Sequence, residues 1–399
     1  MPSQNQSAAG GRGFFGRLSA ARCRLSAVLF GLFLLAVGLW PFNPHAINQV
    51  SVLPDGKGLK FGNPDDYTKR GLGGMVLTPS PLACRQRGRC TAGALALAIE
   101  LSADTDATSC VKRIVDFRRS DGSEVFFLGQ WKSSLIVRSF NTPSARGKPY
   151  REIAVGGVLS SRQTRLVSIV SGIHGTRAYV DGHLAKNDPG IRLLKENETL
   201  HGHKAYLGNS PDLSCPWAGR VQSLAFFGNA WDSSELAERR EKEPDGLSQC
   251  GGAERLASAC YRFDNVNGET IPDLSASGND LQKPEHLVFE KRFLELPVNR
   301  FFSISELTLN LLGFVPLGSL ICLCLLKTNR RPQWVCLLWA VGVGCAVSLT
   351  IEMAQVWLPG RDSSLLDLAT NTAGSAIGGI AMGLHSGTYS GRKRIMSDC

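Results

Sequence analysis

Four apolar runs interrupt an otherwise mixed pattern of hydrophobic and polar positions along the 399-residue chain. Each run approaches the ~20 residues that a helix needs to cross the hydrocarbon core of a bilayer. The pattern therefore predicts an α-helical membrane bundle of about four transmembrane helices. Their predicted bounds are 25–42, about 305–326, 334–358 and 364–385.

A different pattern fills residues 47–290, between the first two predicted helices. Short runs such as RLVSIVSG, TRAYVDGHLA and VQSLAFFG alternate apolar and polar residues for about six to eight positions, separated by turns rich in Gly, Ser, Asp and Asn. Alternation with a period of two is typical of half-buried strands, and the Asp181-Gly182 pair is typical of a hairpin turn. This part predicts an all-β sandwich outside the membrane.

The formal net charge of +10 follows the predicted membrane topology. Basic residues precede the first helix, occupy the loop at 327–331 and recur in the tail at 392–394. Loops kept in the cytoplasm carry such an excess of Lys and Arg. Residues 1–24 and 387–399 are therefore predicted to be cytoplasmic and the sandwich to lie outside, and binding of nucleic acid is not indicated.

The first apolar run has two interpretations. Pro44-His45-Ala46 is a poor processing site that would suit a cleaved signal peptide. An uncleaved anchor is favoured, because Trp40-Pro41-Phe42 is typical of an aromatic edge at the membrane interface.

The cysteines support the same membrane topology. Six of the twelve lie in the predicted outer part, an even number suited to disulfides in an oxidising compartment. The local pairs Cys84–Cys90 and Cys250–Cys260 are predicted, which leaves Cys110 with Cys215, although six cysteines allow fifteen pairings. Four others in the predicted helices are interpreted as small packing residues: Cys322, Cys324, Cys336 and Cys345. No zinc-binding spacing is found.

Several phrases in the sandwich region resemble the concanavalin A-like or LamG-like jelly roll. They are a strand ending in Tyr-Val-Asp-Gly, a Leu-Gly-Asn-Ser turn, a Trp-x-Gly-x-Val strand followed by a short helix, and CYRFDNVNGETIPDLSASGNDL. The resemblance implies a module that binds an extracytoplasmic glycan or a protein.

Some members of this fold bind calcium, and Asp181, Asn209 and Asp212 offer oxygen ligands for it. A structural role in turns is favoured over metal binding for these residues, because short polar side chains form hydrogen bonds with neighbouring backbone groups. The carboxylate arrangement of a glycosidase is not found.

Charged and amide side chains lie within the last three predicted helices. Ser348, Glu352 and Gln355 share one helix face, while Asp367 and Asn371 lie at a similar depth on the returning helix. Asn310 and the turn residue Arg361 complete the set, and a rise of ~1.5 Å per residue places the intrahelical ones about 5–12 Å below the outer surface. A charge facing hydrocarbon costs ~2.5–3.5 kcal/mol, so these groups are predicted to face the bundle interior or an external cavity. The structural alternative is helix packing, with Glu352 paired to Arg361.

The same residues resemble the VanZ-like family of bacterial membrane proteins. They occur in order as Asn310 with GFVPLG, Ser348-x-x-x-Glu352-x-x-Gln355, Pro359-Gly360-Arg361 and Asp367-x-x-x-Asn371-x-x-Gly374. The resemblance spans 305–386 and implies a multi-pass protein of the bacterial inner membrane, in a family associated with resistance to glycopeptide antibiotics.

Three functions remain open. In the first, the polar residues bind a membrane lipid or a lipid-linked glycan precursor, with Arg361 contacting phosphate. In the second, Glu352 and Asp367 form the acid/base pair of an intramembrane enzyme. In the third, the helices only anchor an adhesive, lectin-like sandwich.

Overall fold

The computed structural model divides the chain into two compact units, one of residues 45–290 and one of residues 1–44 with 291–399. It describes residues 20–62, 72–84, 90–104, 107–143, 147–160, 162–230, 257–264, 266, 268–296, 304–329 and 332–397. The two units are treated separately below.

Four helices make up the described part of the first unit. They are α1 (Ala20–Gly38), α2 (Ile304–Asn329), α3 (Gln333–Gln355) and α4 (Leu365–Ser397). Of the described helices, three are long and apolar enough to cross a membrane, at 21–38, 304–327 and 333–355. Helix α3 ends three residues before the predicted bound, because Pro359 and Gly360 favour a turn over a helix.

Small residues let the helices approach closely. A Cβ added to Gly374 or Gly378 of α4 would overlap the backbone carbonyl of Leu311 or Val315 on α2. In α2, a Cβ on Gly318 would overlap the backbone of Ser375. Glycine is therefore needed where the backbones of α2 and α4 touch, as interfaces between membrane helices commonly require.

The second unit consists of short and medium strands. In chain order they are β1 (Val50–Val52), β2 (Leu59–Phe61), β3 (Val76–Leu77), β4 (Leu95–Ala103), β5 (Ala107–Arg119), β6 (Glu124–Lys132), β7 (Ser134–Ser139), β8 (Arg151–Val155), β9 (Arg165–Gly172), β10 (Gly175–Val180), β11 (His183–Asp188), β12 (His203–Leu207), β13 (Gly219–Phe227), β14 (Ala259–Arg262), β15 (Thr270–Ile271) and β16 (Leu281–Gln282).

These strands form two antiparallel sheets. The first has the order β1-β2-β13-β4-β9-β10-β11, with β14 also paired to β13, and the second has the order β15-β16-β3-β12-β5-β6-β7-β8. One buried cluster draws its residues from both sheets. The predicted all-β sandwich with a membrane helical bundle is confirmed.

Local predictions in the sandwich can be followed residue by residue. The predicted hairpin turn joins β10 to β11, where Val180 pairs with His183, and both Asp181 and Gly182 have positive φ. Trp217 is 1% exposed, and its Nε1 donates to Gln130 Oε1 at 2.8 Å inside the core. The short helix predicted after β13 falls at 231–256, outside the described residues.

Candidate functional site

The polar residues of the three C-terminal helices meet in pairs. We call Asn310, Ser348, Glu352, Gln355, Arg361, Asp367 and Asn371 the polar cluster. Asn310 Nδ2 on α2 donates to Asp367 Oδ1 on α4 at 2.9 Å. Asn371 Nδ2 on α4 donates to Ser348 Oγ on α3 at 3.0 Å. Side chains from all three helices therefore contact one another at this end of the bundle.

Glu352 is held at the start of α4. Its side chain is 1% exposed, and Oε2 accepts the backbone N–H of Ser364 at 2.7 Å. Ser364 precedes the first residue of α4, and its Oγ accepts the N–H of Asp367 at 3.4 Å. A carboxylate at this position favours the helix, because unsatisfied N–H groups make a helix N-terminus electropositive. The alternative partner, Arg361, forms no ion pair with Glu352 within the described part of the chain.

The cluster also reaches the end of α1. Gln355 Nε2 donates to the carbonyl of Gly38 at 2.9 Å. Arg361 Nη2 donates to the carbonyl of Trp40 and, at 3.5 Å, to that of Val37. The N-terminal helix is thus part of the site's framework.

Lys291 fixes the turn between α3 and α4. Its side chain is 4% exposed. Nζ donates to the carbonyls of Leu358 at 3.2 Å and Pro359 at 2.7 Å, to that of Arg361, and to Asp362 Oδ1 at 3.1 Å. Sequence reasoning missed this lysine, because nothing near it in the chain indicates that it meets a turn about 70 residues away.

Two amide oxygens in the cluster are buried without a donor. Gln355 and Asn371 are 7% and 5% exposed. Gln355 Oε1 and Asn371 Oδ1 accept no hydrogen bond from the described residues. A buried polar atom without a partner costs free energy, about 1–3 kcal/mol in proteins. The cluster can therefore accept further hydrogen bonds from a group that enters it.

A second polar surface lies on the sandwich. Pairing across β5, β6, β7 and β8 aligns Asp116, Phe127, Arg138 and Glu152. Their neighbours in sequence, including Val115, Leu128 and Val137, belong to the core, so alternation places this row on the opposite face of the sheet. We call Arg113, Asp116, Arg118, Phe127, Arg138, Tyr150 and Glu152 the arginine face.

Guanidinium groups and aromatic rings stack on the arginine face. The Arg113 Cζ lies 3.5 Å from the Phe127 ring centre, and the Arg138 Cζ lies 3.9 Å from that of Tyr150. Arg118 Nε donates to Asp116 Oδ1 at 2.8 Å. Burial alone would lower the pKa of Arg118, but the Asp116 carboxylate raises it. Phe127 and Asp116 are themselves buried, so the partly exposed Arg138 and Tyr150 form the outer part of this face.

The calcium candidates have partners within the fold. Asp181 pairs with Arg165 at 2.7 Å and accepts the N–H of Leu166. Asn209 Nδ2 donates to the carbonyl of Leu72 at 2.7 Å. Burial alone would raise the pKa of Asp212, but hydrogen bonds from Ser210 and Ser214 lower it. Among the described residues, no group of three His, Cys, Asp or Glu side chains is arranged to hold a metal.

The predicted cysteine pairs have different outcomes. Cys84 and Cys90 form a disulfide with Cα atoms 6.3 Å apart. Cys260 is disulfide-bonded, while Cys250 lies outside the described residues. No disulfide joins Cys110 to Cys215, and a hydrogen bond with Cys110, together with burial, raises the pKa of Cys215. The two thiols are adjacent, and their pairing stays a prediction.

One helix cysteine was interpreted wrongly. Cys324 of α2 is not a packing residue but forms a disulfide with Cys23 of α1, with Cα atoms 5.5 Å apart. The two are 301 positions apart in sequence, so spacing along the chain carries no signal for the pair. Cys322 and Cys336 are buried, as packing residues are.

Several solved structures are similar to part of this chain. A putative carbohydrate binding protein from Bacteroides ovatus is 14% identical, with a TM-score of 0.36, over 60% of this chain and 58% of that one. A Trypanosoma rangeli sialidase in complex with sialic acid is 14% identical, with a TM-score of 0.36, over 51% and 30%. The botulinum neurotoxin serotype D binding domain is 9% identical, with a TM-score of 0.34, over 56% and 50%. The chain spans less than two thirds of each of these structures.

No curated protein matches the chain. The helical region gives a family match, which covers residues 265–384 and therefore α2, α3 and the polar cluster. The chain is a membrane protein with a β-sandwich unit, and its C-terminal region matches the VanZ/LLP1 family.

Proposed function

We propose that the polar cluster binds the head group of a membrane lipid or of a lipid-linked glycan precursor in the bacterial inner membrane. The observation that carries the proposal is the pair of buried acceptors, Gln355 Oε1 and Asn371 Oδ1, in a cluster built from three helices. Hydroxyl or amine donors of a head group would satisfy both atoms. The cost of leaving such atoms unpaired would then be regained on binding.

Arg361 is the proposed phosphate contact. It lies in the turn that Lys291 fixes, and its Nη2 is oriented by the carbonyls at the end of α1. Charge-assisted hydrogen bonds from guanidinium to phosphate are about twice as strong as neutral ones. The fixed turn would keep this cation beside the amide groups that orient the rest of the head group.

Native mass spectrometry of the full-length protein tests the proposal. The protein is released gently from membranes and supplied with dioleoyl phosphatidylglycerol. Arg361→Ala is expected to retain about tenfold less lipid, equivalent to roughly 1.4 kcal/mol, and Arg361→Lys an intermediate amount. Arg24→Ala, which changes an exposed arginine at the other end of the bundle, is the control. Equal retention by all four proteins would refute the phosphate contact.

An intramembrane acid/base enzyme is the second candidate. The buried carboxylate of Glu352 favours it, because Glu352 and Asp367 both belong to the cluster that a head group would enter. Incubation with an envelope lipid extract should then change the mass of a lipid. That change should disappear in Glu352→Gln and Asp367→Asn. Retention without a change in mass supports the binding function instead.

We further propose that the sandwich binds an extracytoplasmic glycan or protein through the arginine face. The partly exposed Tyr150 ring, stacked on the Arg138 guanidinium, suits the flat faces and hydroxyls of sugars. Tyr150→Ala is expected to abolish binding of the full-length protein to a glycan array, while Ile173→Ala, which removes an exposed apolar side chain elsewhere on the unit, should not. Loss of binding in both variants would contradict the assignment.

Antibiotic resistance is a proposal at the level of the cell. If the cluster binds a glycan precursor, expression should raise tolerance of teicoplanin, and Arg361→Ala should remove the gain. If the helices serve only as an anchor, the point variants will leave the phenotype intact and deletion of residues 47–290 will abolish it.

A further inference from the structure

A groove of about 490 Å³ runs along one face of α3, and Leu35 of α1 also lines it. Its floor follows Gly342, Ala346 and Thr350 of α3. Thr350 Oγ1 donates to the carbonyl of Ala346 at 2.8 Å, so the hydroxyl is satisfied by its own helix. The lining is therefore apolar in effect.

The position and length of the groove limit what can occupy it. Both α1 and α3 belong to the candidate membrane spans, so the occupant must be apolar. The lining on α3 runs from Leu338 to Thr350, about 18 Å at the helical rise per residue. A single extended hydrocarbon chain has the length and width to fit such a groove.

The groove leads to the polar cluster. Just beyond it the two helices touch, because Gly38 of α1 lies against Ile351 of α3 and its carbonyl accepts the Gln355 side chain. Leu35 is three residues before Gly38, and Thr350 is five residues before Gln355. The apolar groove thus ends about one to one and a half helical turns from the polar cluster.

We propose that this groove holds one hydrocarbon chain of the lipid whose head group binds the polar cluster. The inference rests on the proposed function and adds a chain site to the head-group site. A lipid bound at both would be selected by its head group and by its chain together.

A second copy of this chain is the rival occupant, because Gly342, Ala346 and Thr350 also form a small-x-x-x-small series. The lipid chain is favoured because Leu35 of α1 in the same molecule also lines the groove. In addition, Leu338 and Trp339 are 61% and 59% exposed and stand beside the floor. Those large side chains obstruct the close approach of a second helix backbone, but they leave room for a hydrocarbon chain between them.

Gly342→Leu tests the chain site. A Cβ at Gly342 meets nothing within 4 Å, so the new side chain enters the groove without displacing the fold. Gly313→Leu on α2 is the matched control, because Gly313 also has open space around its Cβ and does not line the groove. Retention of dioleoyl phosphatidylglycerol is measured by native mass spectrometry, with thermal unfolding as a check on folding.

Gly342→Leu is expected to retain about tenfold less dioleoyl lipid than Gly313→Leu, with equal thermal stability and an unchanged oligomeric state. Both variants should bind glycerol 1-phosphate, which has no chain, as the unmodified protein does. If Arg361→Ala loses the lipid but Gly342→Leu keeps it, the chain site is wrong and the head-group site stands. If only Gly342→Leu loses the lipid, the hydrocarbon chain in the groove does not belong to a lipid held by Arg361. The proposal that one lipid occupies both sites is then wrong. Loss of a dimer in Gly342→Leu would assign the groove to a second copy.

Discussion

Glycine on α4 is required by contact with a neighbouring backbone. Gly374 and Gly378 lie directly against carbonyl groups of α2, whereas Gly313 of α2 has open space beside it. The same residue type therefore has different roles on neighbouring helices, and only the packing distinguishes them.

Gly378→Ala is expected to destabilise the helical unit. The added methyl group overlaps the Val315 carbonyl, and forced overpacking typically costs about 1–3 kcal/mol. Thermal unfolding in detergent, followed by circular dichroism at a helix wavelength, measures the effect. Gly313→Ala is the control and should unfold at the same temperature as the unmodified protein or slightly above it. Equal destabilisation by both variants would contradict the close-packing argument.

Substitution of Glu352 can separate its structural role from binding. In Glu352→Gln the amide oxygen can still accept the Ser364 N–H, so we expect a small loss of stability of about 0.3–1 kcal/mol from the missing charge at the helix N-terminus. Glu352→Ala leaves that N–H without its acceptor, and we expect a larger loss of about 1–3 kcal/mol. Thermal unfolding gives both values. If the two variants are equally stable, Glu352 does not support the start of α4.

Some members of the cluster could be predicted from sequence and others could not. Asn310, Ser348, Asp367 and Asn371 are polar residues in apolar helices, and they do contact one another. Lys291 and Ser364 contribute equally direct contacts. They lie in connecting segments, where a polar residue is ordinary and gives no signal.

Secondary structure was predictable where one period dominates the sequence. The run RLVSIVSG coincides with β9, and the Asp181-Gly182 turn joins β10 to β11. The Cys23–Cys324 disulfide was not predictable, because it depends on α1 and α2 packing side by side. It fits an antiparallel arrangement, since Cys23 is near the start of α1 and Cys324 near the end of α2.

The second sheet should become less stable to local unfolding around β12 in mild acid. His203 is 6% exposed, and its burial lowers the pKa from the ordinary value of 6.5, with Arg119 acting in the same direction and Glu198 against it. The unfolded form therefore binds a proton at a higher pH than the folded form. Stability is complete above about pH 6.5 and falls as the pH drops from there towards the folded pKa, by at most about 1.4 kcal/mol per pH unit.

Hydrogen–deuterium exchange of β12 peptides in the full-length protein measures this loss. Exchange should accelerate between pH 6.5 and 5 after correction for the intrinsic rate, and His203→Asn should weaken that acceleration. His201→Asn, which changes the exposed neighbour, should keep it. An unchanged pH profile in His203→Asn would exclude His203 as the cause.

Across the whole molecule, the two units differ in where their large apolar side chains lie. The sandwich encloses a core with large buried aromatic residues such as Trp217, Phe117 and Tyr261. The helices instead leave large apolar side chains exposed, among them Leu309, Trp334 and Leu338. Such exposure is unfavourable in water and favourable in lipid. The membrane assignment therefore follows from surfaces as well as from sequence.

Orientation is the prediction that links the units to function. The basic residues before α1 and in the tail favour a cytoplasmic location for both ends. An even number of crossings then returns the chain to the side on which it began. Alkaline phosphatase fused after Cys399 should be inactive, and green fluorescent protein at the same point should fluoresce. The same enzyme inserted at the exposed Gly156-Gly157 turn of the sandwich should be active, since that unit is predicted to lie outside. Active phosphatase at the C-terminus would mean an odd number of crossings, as a non-spanning α4 would produce, and the polar cluster would then not be built from three membrane-spanning helices.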